Sequence, residues 1–116
     1  MRVISMLKQI ALVALPLVGI AATAASALAS ARLQIPIAGV AFTKADVSVT
    51  VGDTVEWVNN DIVDHTATDR KDGWNLSIAP GKTASVVMKT PGTFEYFCRY
   101  HPNMVGHIVV NAARKK

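Results

Sequence analysis

The chain is expected to fold as an all-β domain of seven to eight short strands in two packed sheets. Three features lead there: stretches in which apolar and polar residues alternate with a period of two, turn residues recurring between them, and little room for a helix. Phe94, Tyr96 and Cys98 illustrate the period, since they share one face of an extended strand while Glu95 takes the other.

The leader comes first. Arg2 and Lys8 flank a short beginning, and residues 9–31 then carry no charge while passing from apolar to small side chains. That order is the signature of an export signal. Ala-x-Ala triplets close at Ala27, Ala29 and Ala31. Residues 1–31 are therefore expected to be a cleaved signal peptide that sends the protein to the periplasm, and residues 32–116 a single domain. A retained anchor is the competing reading, because an uncharged run of this length can cross a bilayer of about 30 Å. Pro16 and the weakly apolar Ala, Ser and Thr tail oppose a permanent span, and no stable membrane insertion is expected after cleavage.

The strands follow in order. Residues 33–37 and 40–43 are plausible early strands, with Pro36 favouring an edge or a bulge. Residues 47–51 alternate as a half-buried strand should, Gly52 and Asp53 mark a turn, and residues 54–59 resume extended structure. Residues 60–75 are rich in Asp and Thr and read mainly as loop. A short strand at 76–78 leads into the Ala79-Pro-Gly81 turn, and residues 83–89 form the next strand around Val86, Val87 and Met88. Thr90-Pro-Gly92 turns the chain into a strand ending at Cys98. Residues 106–110 are the last strand. Val49, Val55, Trp57, Phe94 and Tyr96 are the expected core.

Composition narrows the function. The formal charge is +4, but without Arg2 and Lys8 ten basic residues stand against eight acidic ones, a net of +2. Three of those positives are the terminal Arg114, Lys115 and Lys116, which is too dispersed for a nucleic-acid surface. Cys98 is the only cysteine, so no internal disulfide is possible. A small exported domain usually needs a disulfide or a metal to support its core, and a lone thiol in an oxidising compartment is protected by burial or by a metal.

The segment Cys98-Arg-Tyr-His101-Pro-Asn-Met104 places a thiolate, an imidazole and a thioether at successive three-residue offsets in a loop directly after a strand. Such a loop can curl around one ion. Each residue has a plainer use: Cys98 as a small core residue, Met104 as packing, His101 as a loop histidine. Together, and with a separate histidine upstream, they point to one metal ion. Two His, one Cys and a weak axial Met suit copper in electron transfer. His65 is the nearest upstream imidazole. His107 competes with it, but its place inside the last strand reads as a surface strand histidine. Asn59 and Thr66 flank His65 and can hydrogen-bond the loop backbone around it.

These residues carry a resemblance to the cupredoxins, or type 1 blue copper proteins, nearest the amicyanin, pseudoazurin and plastocyanin group. Its most specific parts are Ala79-Pro-Gly81, the run Pro91-Gly-Thr-Phe-Glu-Tyr-Phe-Cys98, and Cys98-x-x-His101-x-x-Met104. The resemblance covers essentially the whole domain through Val110. It implies a Greek-key β-sandwich with His65, Cys98 and His101 as equatorial copper ligands and Met104 axial. Two positions depart from the family pattern: Tyr100 stands where those proteins usually have Pro, and Thr66 where they usually have Asn.

The implied function is a one-electron carrier cycling one copper ion between Cu(II) and Cu(I), with no bond of a substrate made or broken. Redox donor and acceptor proteins would dock near His101, around Tyr100, Pro102, Asn103 and Met104. Lys71, Lys82, Lys89 and Arg99 are candidates to steer an acidic partner. Copper carriage or storage is the main alternative. Four protein ligands leave no open position for a substrate, so the chain is not expected to be an enzyme, and a monomer is the simplest form for a shuttle.

Overall fold

The computed structural model describes Ala14, Pro16 and residues 29–113. The expected leader thus lies outside the described residues, apart from Ala14, Pro16 and residues 29–31, and so does the basic tail of Arg114, Lys115 and Lys116.

Alternating side chains make strands that bury one face, and eight such strands follow in order: β1 (Arg32–Ile37), β2 (Asp46–Thr50), β3 (Thr54–Asn59), β4 (His65–Asp69), β5 (Asn75–Ile78), β6 (Thr83–Val87), β7 (Gly92–Phe97) and β8 (Val105–Asn111). They form two mixed sheets, ordered β1-β3-β6 and β2-β8-β7-β4-β5, as a β-sandwich. The pairs β1 with β3 and β2 with β8 are parallel, and the other pairs are antiparallel.

The core between the sheets is built from the inward members of the alternation. In the parallel pair of β1 and β3, Ile35 lies opposite Trp57, and both are fully buried. Tyr96 packs edge-on against Trp57 and Phe42, at ring-centroid distances of 5.2 and 4.7 Å. Edge-on contact of this kind adds about 0.5–1.5 kcal/mol to the burial of each pair. Tyr96 also lies opposite Gly106 across β7 and β8. A β-carbon at position 106 would collide with the Tyr96 ring, so only glycine lets the phenol lie flat over β8.

The outer face of the larger sheet carries the polar half of the pattern. Arg70 pairs with Glu95, and the two nitrogens of His107 face Glu95 and Asp46 at 3.0 and 3.1 Å. His107 is therefore a surface strand histidine, as expected.

Two segments differ from the sequence expectation. Residues 40–43 are not a strand. Gly39 and Val40 both have positive φ, 59° and 56°, and the Ala38 amide donates to the Ala41 carbonyl across 3.1 Å. This is a two-residue turn of the mirror-image type, joined to a bridge between Ile37 and Phe42. A β-branched residue in that conformation costs about 1–3 kcal/mol. The turn lets Phe42 swing into the core.

The second difference is β4, which occupies part of the 60–75 region read as loop. All five of its residues are buried, including Thr66, Thr68 and Asp69. Its polar side chains hid it, because nothing in the local pattern says that they satisfy one another. The Thr68 hydroxyl donates to Asn75 Oδ1 across 2.8 Å, and the Thr66 and Thr68 hydroxyls are 3.0 Å apart.

Candidate metal centre

Three ligand types meet where β4 begins and β7 ends. His65 is the first residue of β4, and Cys98 follows the last residue of β7. Period-two geometry brings Cys98 inward with Tyr96, and both are fully buried. The loop after it closes on itself: the Met104 amide donates to the His101 carbonyl across 2.8 Å, and the Cys98 amide donates to the Met104 carbonyl across 3.1 Å. That closure returns His101 to the cysteine and buries Met104, which is only 3% exposed. Met104 consequently takes no part in an exposed surface around His101, a correction to the expected docking patch.

The donor atoms converge. Nδ1 of His65 lies 3.8 Å from the Cys98 sulfur, and Nδ1 of His101 lies 3.7 Å from it. The ligand atoms of His65, Cys98 and His101 all fall within 4.8 Å of one another, the only such group of His, Cys, Asp and Glu among the described residues. Two nitrogens and one sulfur around a common centre fit a soft, copper-type ion, and the spacing admits one ion per chain. Of the two competing histidines, one upstream and one downstream of the Cys98 loop, the fold delivers His65 here and holds His107 on the outer sheet face.

The surroundings fix each ligand. The Thr66 amide donates to the Cys98 sulfur across 3.3 Å and so fixes where that sulfur sits. The Thr66 hydroxyl accepts from the Arg99 amide across 2.8 Å, so it holds the loop that follows Cys98. Asn59, fully buried, donates to the carbonyls of Val63 and Ile78 and accepts from the Asp61 amide, at 2.8, 2.9 and 2.9 Å. Both flanking positions thus serve the loops as the sequence suggested.

Asp61 is the participant that the sequence reading missed. A carboxylate can only accept here, so His65 Nε2 carries a proton and donates it to Asp61 Oδ2 across 2.8 Å. In the neutral ring Nδ1 is then the bare nitrogen, and it is Nδ1 that faces Cys98. The Val40 amide holds the Asp61 carboxyl below the usual carboxylate range, with His65 and Gly39 adding to the effect against the cost of burial. An aspartate four residues before the histidine was visible in the sequence, but its partners on the 38–41 turn were not.

Comparison with known proteins agrees with this geometry. Residues 9–110 match the family described as a cupredoxin-like domain. Amicyanin-alpha of Methylorubrum extorquens is 30% identical over 83 residues, which cover 66% of this chain and 70% of that protein. A plastocyanin of Prochlorothrix hollandica is 37% identical over 76 residues, covering 55% and 58%. Among solved structures, an amicyanin mutant in its reduced state matches with a TM-score of 0.64 at 28% identity, covering 69% of this chain and 82% of that one. The triad is typical of a type 1 blue copper electron-transfer site, which serves a redox carrier and not a catalyst. Strand order, ligand spacing and kinship all converge, and the chain belongs to the family of cupredoxin-like domains.

Proposed function

We propose that the protein is an exported one-electron carrier in which His65, Cys98, His101 and Met104 hold a single copper ion. The observation that carries this reading is the convergence of two imidazole Nδ1 atoms on one buried sulfur, at 3.7 and 3.8 Å. Bound copper would supply reversible exchange between Cu(II) and Cu(I).

The chain's own residues do the rest. Asp61 orients His65, the Thr66 amide holds the cysteine sulfur, and the closed loop ties the Met104 backbone to Cys98 and His101, from where its thioether would serve as a weak fourth donor. Burial of His65, Cys98 and Met104 excludes water from three of the four donors. A scaffold with its ligands so tied changes little between oxidation states, which favours fast transfer.

His101 is the partly exposed ligand and the natural contact for redox partners. Tyr100 beside it is 59% exposed, and Ile62, on the loop before His65, is 93% exposed. Apolar side chains of this kind suit brief docking through a small interface. Among the described residues no helix is long and apolar enough to cross a membrane. Kinship with amicyanins and plastocyanins, together with the leader pattern of residues 1–31, supports an exported location, and the periplasm is the compartment proposed.

Visible absorption tests the reading. Copper-loaded protein should show a strong thiolate-to-Cu(II) band near about 600 nm that ascorbate bleaches and reoxidation restores. A folded, copper-loaded protein without that band would instead point to copper carriage.

A further inference from the structure

Val40 poses a question that the ligand set does not answer. It is β-branched, 46% exposed, and holds a left-handed backbone conformation with φ of 56°. Turns with two positive-φ residues select Asn or Gly, because a β-carbon crowds the neighbouring peptide there. Outliers of this kind persist only where the surroundings over-determine them.

The surroundings here are one carboxylate. The Gly39 amide donates to Asp61 Oδ1 across 2.7 Å, and the Val40 amide donates to Asp61 Oδ2 across 2.9 Å. Two successive amides aimed at one anion form a small anion-binding concavity. The same Oδ2 accepts from His65 Nε2 across 2.8 Å. The Asp61 amide is held in turn by Asn59 Oδ1, and the Asn60 amide by the Ile37 carbonyl just before the turn. The carboxylate is thus clamped between an exposed turn and a fully buried ligand ring.

We propose that the turn centred on Gly39 and Val40 is a positioning element of the metal centre. Its two amides lock the Asp61 carboxylate, and the carboxylate locks the ring plane and tautomer of His65. The turn therefore acts on the reduction potential of bound copper from outside the ligand set. A carboxylate hydrogen-bonded to a ligand histidine raises the basicity of the ring and favours the more highly charged ion. Loosening the turn should accordingly raise the potential. The potential readout rests on the copper reading above, whereas the hydrogen-exchange readout below rests on the fold alone and is taken on metal-free protein.

Val40→Pro tests the proposal, because proline has no amide hydrogen and cannot adopt φ of 56°. In the metal-free variant the His65 Nε2 proton should exchange about tenfold faster or more, as befits a weakened charge-assisted hydrogen bond. With copper bound, the reduction potential should rise while the Cys98 to Cu(II) band is retained. Val40→Gly keeps both the amide and the positive φ, and it should return exchange rate and potential to the parent values. Should Val40→Pro not fold, Asp61→Asn reads the same link from the other side: the Gly39 and Val40 amides should exchange about tenfold faster than in the parent, with protection in β7 and β8 unchanged. A folded Val40→Pro protein with unaltered His65 exchange and unaltered potential overturns the proposal, and so does Asp61→Asn with unaltered turn amides. Loss of the blue band in the parent protein would remove the copper reading while leaving both exchange tests valid.

Discussion

The Thr66 amide donates to the Cys98 sulfur across 3.3 Å, and the hydroxyl of the same residue accepts from the Arg99 amide across 2.8 Å. Consecutive residues after the ligand histidine and at the ligand cysteine are thereby tied, and the two strands that deliver them cannot slide independently. Thr66→Val keeps the shape and the amide but leaves the partly buried Arg99 amide without its acceptor. Stability of the metal-free protein in urea should fall by about 1–3 kcal/mol. Thr66→Ser should recover most of that loss.

Tyr96 and Gly106 form a second coupled pair. Burial pushes the Tyr96 phenol up to about 12; the Trp57 indole faces it closely enough to oppose that rise, yet the two miss hydrogen-bonding geometry and both atoms lack a partner. Tyr96→Phe should therefore be neutral or stabilising by about 1 kcal/mol, since it removes a hydroxyl that is buried and unpaired. Gly106→Ala should cost about 1–3 kcal/mol through overpacking against the ring. Urea unfolding of both single variants and the double variant would expose the coupling.

The same phenol sets an alkaline limit. Its folded value lies above the usual 10, so ionisation is harder in the folded than in the unfolded chain, and the fold loses stability as the pH rises from 10 through about 12. Phenolate absorbance followed with pH should show a step near 12 that coincides with unfolding. Tyr96→Phe should lack that step.

Glu95 sets an acid limit. Arg70, and after it His107, hold its carboxyl below the usual 4.5. A depressed carboxylate stabilises the fold above the unfolded value and loses that contribution as the pH falls through the folded one. The gap in urea midpoint between the parent and Glu95→Gln should be present at pH 7 and close as the pH drops below 4.5. A gap independent of pH would show that the pairs across β4, β7 and β8 do not depend on the charge of Glu95.

The start of the domain is also measurable. The Ala31 amide donates to Asp53 Oδ1 across 2.8 Å, and its carbonyl accepts from the Thr54 amide across 2.9 Å. Protein beginning at Ser30 should therefore be more stable than protein beginning at Arg32 by about 1–3 kcal/mol. Equal stability would mean that Ala31 adds nothing to the edge of β1.

Much of the site could be read from the chain because its ligands are local. Cys98, His101 and Met104 lie within seven residues, and a loop that short can close on one ion whatever surrounds it. The alternation through Phe94, Tyr96 and Cys98 told which face the cysteine would take, and the same period located most strands to within a residue or two. Residues 65–69 were hidden because a buried strand of Thr, Ala, Thr and Asp violates the expected apolar pattern. Its polar groups are satisfied by Asn75, Trp74, Gly73 and Arg99, partners known only after folding.

Fold class, donor chemistry and the strand that carries the thiolate depend on period and on short-range spacing, and could therefore be read along the chain. The preference for His65 over His107 was legible too, and the fold bears it out, but that Asp61 stands between that histidine and a strained turn more than twenty residues earlier emerges only from the packing. Such contacts join segments distant in the chain. Their geometry is set by how the two sheets pack, and no local pattern encodes it.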